Sequence, residues 1–494
     1  MTAQPPTQLP AHLAASTVPG GERVSGLPDH VLIRQFYLGC LSQAAYLVGD
    51  LNTGRAIAVD PRRDVDELLA AAAEDGLSIE YVMQTHFHAD FLSGHLELAA
   101  ATGATIGYGS AAVTEFESRL FADGDVIDLG GVTVEVWETP GHTPESISLI
   151  VRAEPEGAPV AALTGDTLFI GDVGRPDLLV AFDVPADELA AKQYSSVHRM
   201  MTLPDDTLVL PAHGAGSACG KSLSSETIST IGEQRVSNYA VQPMDEATFV
   251  AIVTDGQPTT PGYFGYDATL NRKLRPIRAH NDAPDALDLA AFDRIKALGA
   301  MAVDVRSADT YAAGHLAGSI SVPLTGRFAE QVGMFAGPGT PVLLIGDADA
   351  VTEAALRMSR IGFDNVAGAL GEVERVLIEH PERSRRQSRL TAVEFADRRD
   401  ALGESLQFVD VRNPGEVEAA PVEGAITIPL PRLSAAIDDA GLDPARPTVV
   451  VCAGGARSAI GSSVLEAAGF ADVSDLVGGA SALGIAAACG LGDR

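Results

Sequence analysis

Residues 85–91 read THFHADF. The run leaves IEYVMQT (79–85), whose β-branched and aromatic residues predict a strand. It leads into SGHLELAAATG (93–103), a helical pattern that stops at a glycine. Two imidazoles and a carboxylate therefore stand where a strand ends. Phe91 closes the run, at a position where one more histidine would enrich the donor set. Three later stretches share the setting: TPGHTPES (139–146), LTGDTLF (163–169) and PAHGAG (211–216). Each puts His or Asp just after a predicted strand, in a loop marked by Gly or Pro. Loops at one end of a sheet can converge on a metal. The candidates are His86, His88, Asp90, His142, Asp166 and His213.

The surrounding chain predicts alternating strands and helices: strands at AAYLVG (44–49), AIAVD (56–60), VTVEVWE (132–138), SISLIV (146–151), VAALTG (160–165) and DTLVLPAHG (206–214), with a helix at DVDELLAAAAEDG (64–76). A length of 494 residues exceeds what one core organises, and the net charge of −32 argues against nucleic acid, whose phosphates require clustered Lys and Arg. No run of 18 apolar residues predicts a membrane span. The first 26 residues lack a basic segment followed by an apolar core, so no secretory signal is expected and residues 1–28 read as a flexible tail. Four dispersed cysteines, Cys40, Cys219, Cys452 and Cys489, form no C-x-x-C pair. A reducing cytoplasm is the expected location.

The pattern breaks near 255–285, in a stretch rich in Pro, Gly and Asn, which puts a domain boundary at about 276–284. Beyond it VDVRSADTYAAGHLAGSISVPL (303–324) matches VDVRNPGEVEAAPVEGAITIPL (409–430), so one domain of about 100 residues occurs twice. EHPERSRRQSRL (379–390) reads as the linker. The expected domains are residues 29–280, 284–380 and 388–494.

The histidine set resembles the metallo-β-lactamase superfamily, whose pattern is H-x-H-x-D-H followed by a His, an Asp and a His. The resemblance covers roughly residues 30–275 and implies an αββα sandwich with a metal site at one edge. In the two-zinc hydrolases of that superfamily the sixth position ligates the second metal. Here it is Phe91, which cannot ligate a cation. In the persulfide dioxygenase branch the first His, the middle His and the Asp hold one Fe(II). By motif position these are His86, His142 and Asp166, a two-His, one-carboxylate set that leaves positions open for a sulfur ligand and O2. His88, Asp90 and His213 then orient ligands or bound water. Arg175, in GDVGRPDL (171–178), becomes a candidate for holding substrate or the iron-site loop. Cys219, in HGAGSACGKSL (213–223), becomes a candidate for accepting a sulfane sulfur.

VVVCAGGARSAIGSSVLEAAGF (449–470) runs from a strand into Cys452, a short loop and a helix. A loop curled around a thiolate aims backbone N–H groups at sulfur, a helix N-terminus follows, and Arg457 adds charge; all three favour the thiolate and a persulfide anion. The C-x-x-G-x-R loop with the upstream DVR resembles a rhodanese domain. That resemblance makes Cys452 and Arg457 catalytic and has Ala453, Gly454, Gly455, Ala456 and Ser458 line the sulfur. Cys489 has no such setting. The first copy keeps DVR (304–306) and GHLAG (314–318) but offers Ile345 or Gly346 in the cysteine slot, and reads as inactive.

The resemblances together imply an α/β multidomain protein: a metallo-β-lactamase sandwich followed by two α/β rhodanese domains. They imply a bifunctional enzyme with one Fe(II) per chain. It would oxidise a small persulfide of glutathione or coenzyme A type with O2 to sulfite and thiol, and exchange sulfur with sulfite or thiosulfate through Cys452. No nucleic-acid or membrane partner is expected, and self-association stays open. The alternative is a zinc thioester hydrolase similar to glyoxalase II with rhodanese modules attached.

Overall fold

The computed structural model describes residues 20–180, 183–278 and 283–488, with side chains to residue 484. Cys489, residues 1–19 of the expected tail and boundary residues 279–282 lie outside the described residues. The chain divides into two compact units: Met1–His280 with Ser359–Gly362, and Asn281–Met358 with Phe363–Arg494.

The first unit is built on two sheets. One has seven strands in chain order: Glu22–Arg23, Val31–Leu38, Gln43–Asp50, Arg55–Val59, Ser78–Met83, Thr105–Gly109 and Arg119–Phe121. The other has six, ordered Ser229–Thr230, Leu208–Pro211, Pro159–Gly165, Ile147–Arg152, Thr133–Glu138 and Val126–Asp128. Successive side chains of a strand point to opposite faces, and this period sorts the core. Tyr46, Val48, Ile57 and Val59 pack between the sheets against Val134, Val136, Leu149 and Leu163. Their neighbours Ala45, Leu47, Ala56 and Ala58 face outward onto Leu68, Ala71 and Ala72 of the helix Asp66–Glu74. Ile150, Ala162 and Val209 likewise meet Ala190, Val197 and Met200 of the helix Ala186–Met200. The result is the four-layer αββα sandwich.

The second unit contains both repeats. The first has a parallel sheet ordered Ile320–Ser321, Met301–Asp304, Val342–Ile345 and Val366–Leu370; the second has a parallel sheet ordered Ser388–Leu390, Val473–Leu476, Thr448–Val451, Gln407–Asp410 and Ile426–Thr427. The DVR motifs explain themselves: Arg306 folds back on Asp304 and Arg412 on Asp410, each through Nε at 3.0 Å, so a buried strand-end carboxylate is neutralised by its own neighbour. The run 379–390 is not a free linker. Ser384–Arg385 pairs with His315–Leu316, and Ser388–Leu390 joins the second repeat's sheet. Among the described residues no helix is long and apolar enough to cross a membrane.

Candidate metal centre and cysteine loop

Strand Ser78–Met83 delivers the chain to Thr85, and Asp60, at the end of the neighbouring strand, fixes it there. One Asp60 oxygen accepts from the Thr85 N–H and the other from its hydroxyl, both at 2.8 Å. A hydroxyl has one proton, and here it goes to the carboxylate. Thr85 Oγ1, 3.0 Å from His86 Nδ1, must therefore accept from that nitrogen. The tautomer leaves the His86 Nε2 lone pair free. His142 is set the same way, since its Nδ1 donates to the Arg175 carbonyl at 2.8 Å. Both Nε2 atoms face Asp166 Oδ2, at 3.8 Å from His86 and 3.4 Å from His142. His86 Nε2 and Asp166 Oδ2 are buried without a hydrogen-bond partner. Two imidazole lone pairs and a carboxylate oxygen, all within 4.8 Å of one another, fit a divalent metal ion. Burial, then His88, hold the His86 imidazole neutral well below its ordinary range, as a ligand needs.

The other Asp166 oxygen, Oδ1, receives His213 Nδ1 at 2.8 Å, and His213 Nε2 reaches Asp90 Oδ2 at 2.7 Å. Burial opposes a charged imidazole there, but the two carboxylates outweigh it and keep His213 protonated well above the usual histidine range. The Asp90 and His213 donor atoms also lie within 4.8 Å of the Cys219 thiol, whose proton is held by burial and by those carboxylates. His88 Nε2 stands 3.0 Å from Asp60 Oδ1, off hydrogen-bond geometry, with its ring centroid 4.1 Å from that of His86. Phe91 is fully buried with its ring centroid 4.4 Å from that of His88, so an apolar wall flanks the histidines.

Arg175 does not present its guanidinium to an open cleft. The fork holds Asp177 at 2.7 Å through two bonds and donates to the carbonyls of Ala218 and Pro258 and to Thr260 Oγ1. With the side chain only 2% exposed, it pins loops, and its backbone carbonyl is what reaches His142. Three residues not among the sequence candidates complete the centre. Asp60 orients Thr85 as described. Glu145 accepts from Phe87 N at 3.0 Å. Asn271, fully buried, donates to the carbonyls of His88 (2.8 Å) and Phe91 (2.9 Å) and accepts from Ser93 N (2.9 Å). Gly174 is required by contact: a Cβ there would stand 2.2 Å from the Asp166 carbonyl oxygen and 3.1 Å from His142 Nδ1.

In the second repeat Cys452 follows strand Thr448–Val451 and is 1% exposed. The chain turns through Gly455, at φ 98°, into the helix Ala456–Ala467. Gly455 N donates to Cys452 Sγ at 3.1 Å, and Ser458 Oγ lies 3.5 Å from the sulfur. Gly454 and Ala456 are exposed and Ala453 half-buried, so the loop opens to solvent beside a covered sulfur. Arg457 interacts electrostatically with Cys452, as expected, but its direct partner is a carboxylate. A carboxylate draws its planar fork: both terminal nitrogens bind Glu416, at 2.7 and 2.6 Å. In the first repeat Asp304 pairs with Ile345 as Asp410 pairs with Val451, so Gly346 occupies the Cys452 slot. Its loop is also shorter. Asp347 Oδ1 accepts from Ala350 N at 2.8 Å, and the helix starts at Ala348.

Family comparison agrees with this geometry. Residues 38–213 match the metallo-beta-lactamase superfamily, and residues 289–371 and 391–485 each match a rhodanese-like domain. The chain is 30% identical over 251 residues to a beta-lactamase hydrolase-like protein of Xylella fastidiosa, covering 44% of this chain and about half (54%) of that relative's length. It is 30% identical over 219 residues to the mitochondrial persulfide dioxygenase ETHE1 of Homo sapiens, covering 43% of this chain and 76% of that one. A solved metallo-beta-lactamase structure from Staphylococcus aureus subsp. aureus COL superposes with TM-score 0.63 at 32% identity, covering 69% of this chain and 99% of that one. The chain belongs to the metallo-β-lactamase superfamily and carries two rhodanese-like domains behind its lactamase-like one.

Proposed function

We propose that the protein is a persulfide dioxygenase and sulfurtransferase in one chain. The observation that carries this reading is the donor set: two imidazole nitrogens and one carboxylate oxygen lie together, and buried Phe91 fills the motif position that ligates the second metal in the two-zinc hydrolases the motif resembles. His86, His142 and Asp166 would hold one Fe(II), which supplies coordination of a persulfide sulfur and activation of O2. Around it the protein's own groups do the rest. His213 holds Asp166 in place and spreads its charge to Asp90. Phe91 excludes water from one side, which suits an apolar sulfur ligand. Cys219, beside Asp90 and His213, would accept sulfane sulfur only after giving up the proton that burial and the carboxylates hold on it.

At the second repeat Cys452 would attack the outer sulfur of thiosulfate. The S–S bond of thiosulfate breaks, sulfite leaves with the electron pair, and Cys452 becomes the persulfide; the reverse step regenerates thiosulfate. The Gly455 N–H stabilises the sulfur anion at each stage. The shared intermediates, persulfide and sulfite, gain effective concentration from the covalent linkage of the domains. Cys40, Cys219 and Cys452 are all free thiols, in keeping with work in the cytoplasm.

The test is metal analysis of the purified chain with O2 uptake on glutathione persulfide. About one iron per chain and persulfide-dependent O2 consumption are expected. Two zinc ions with thioester hydrolysis and no O2 uptake would replace this reading with the hydrolase one.

A further inference from the structure

The first repeat has neither the cysteine nor the loop of the second, yet it grips the helix that begins at that loop. In the helix Ala456–Ala467 every residue from Ser458 to Leu465 is buried, so it is covered on more than one side. Its own sheet covers one: a Cβ on Gly461 would meet Val450 Cγ1 at 3.1 Å. The first repeat supplies another. Ser321 lies on the edge strand Ile320–Ser321, and its N–H donates to Ser463 Oγ at 2.9 Å, both residues being buried. One turn further, His315 Nε2 lies 2.9 Å from Glu466 Oε1. His315 is itself fixed, fully buried, with Nδ1 donating to the Tyr311 carbonyl at 2.9 Å and its ring stacked 3.7 Å from the Tyr311 ring. A helix held at Ser463 and Glu466 cannot slide along its axis. Its other end carries Gly455, whose N–H points at Cys452 Sγ.

We propose that the degenerate repeat is a positioning element for Cys452, acting through Ser321 and His315 on the helix that sets the Gly455 N–H against the sulfur. This rests on the sulfurtransferase reading of Cys452. Small misplacements of a group near reacting atoms cost rate and leave ground-state binding nearly intact.

The test uses the full chain with thiosulfate and cyanide as probes. Ser463→Ala removes the acceptor for Ser321 N and should lower kcat for sulfur transfer about tenfold, with KM for thiosulfate changed less than about twofold. Ser463→Thr, which keeps the hydroxyl, should restore the rate. Amide exchange at Gly455 should quicken in Ser463→Ala while strand Thr448–Val451 stays protected. Glu466→Gln, which weakens only the His315 contact, serves if the first variant does not fold, and should show the same pattern more mildly. Wild-type kcat together with unchanged Gly455 exchange would overturn the proposal. Absence of sulfur transfer in the wild-type chain would instead remove the sulfurtransferase reading, and Gly455 exchange alone would then decide whether the helix is held.

Discussion

Asp166 divides its carboxylate between two partners: Oδ1 accepts from His213 Nδ1 at 2.8 Å, while Oδ2, with no hydrogen bond, lies 3.4 Å from His142 Nε2. A carboxylate can serve both ends at once, and an amide cannot. Asp166→Asn should therefore leave the fold intact by circular dichroism and bring bound metal down from about one ion per chain to background in elemental analysis. Full metal occupancy in the variant would remove Asp166 from the ligand set.

Phe91 is the obstacle to a second ion on the proposed reading. Phe91→His restores a nitrogen donor at the same place. Native mass spectrometry in the presence of excess Zn(II) should then show a second ion binding to the variant and a single ion to the parent chain. An unchanged single ion would mean that Asp90, already engaged with His213, is the real barrier.

Asn271 bonds to the backbone at residues 88, 91 and 93. Asn271→Ala leaves two carbonyls and one N–H buried and unpaired, each costing roughly 1–3 kcal/mol if water does not reach it. Metal affinity, followed by Co(II) absorption, should weaken roughly 10- to 100-fold, as for other groups that hold ligands from behind. Unaltered affinity would show that the loop keeps its shape without the side chain.

His95 is fully buried among Phe116 and Tyr108, with neither ring nitrogen hydrogen-bonded, and burial pushes its pKa down to about 3 from 6.5. It stays neutral in the native state while the unfolded chain takes up a proton below pH 6.5. The unfolded state then binds more protons, so stability falls as pH drops from 6.5 towards 3, by an amount on the order of a few kcal/mol. Above pH 6.5 both states are neutral and the effect vanishes. Urea unfolding of His95→Leu should lose most of this acid limb; an identical pH profile would assign the limb to other groups.

Cys452→Ser should abolish sulfur transfer and leave metal content unchanged. Placing the thiol in the other repeat, by Gly346→Cys in that background, should not restore transfer. A Cβ at Gly346 would stand 2.8 Å from Val305 Cγ2, and the helix begins at Ala348 with no loop left to curl around a sulfur. Recovered activity would show that the loop is dispensable.

The sandwich was legible because strand periodicity is written directly in residues such as Ala45, Tyr46, Leu47 and Val48, which alternate between two apolar layers. His86, His142, Asp166 and Cys452 were legible because each stands just past a strand end, the last three in loops marked by Gly or Pro. Asp60, Glu145 and Asn271 were not. They act mainly on backbone groups of distant segments, Asp60 on the Thr85 hydroxyl as well, and such partners leave no spacing to read. Asn271 meets His88 across 183 positions. Arg175 and Arg457 stand out in their motifs, but their partners, Asp177 and Glu416, are set by the fold, because a guanidinium goes to whichever carboxylate comes near.

Gly174 gives the centre a further property. Its bare backbone rests against Asp166 and His142, and the peptide that follows supplies the carbonyl that orients His142. The donors are thus cast in main chain on two sides, like a mould. A cation entering such a mould meets a shape already set, so the donors cannot swing in or out to suit an ion of another size.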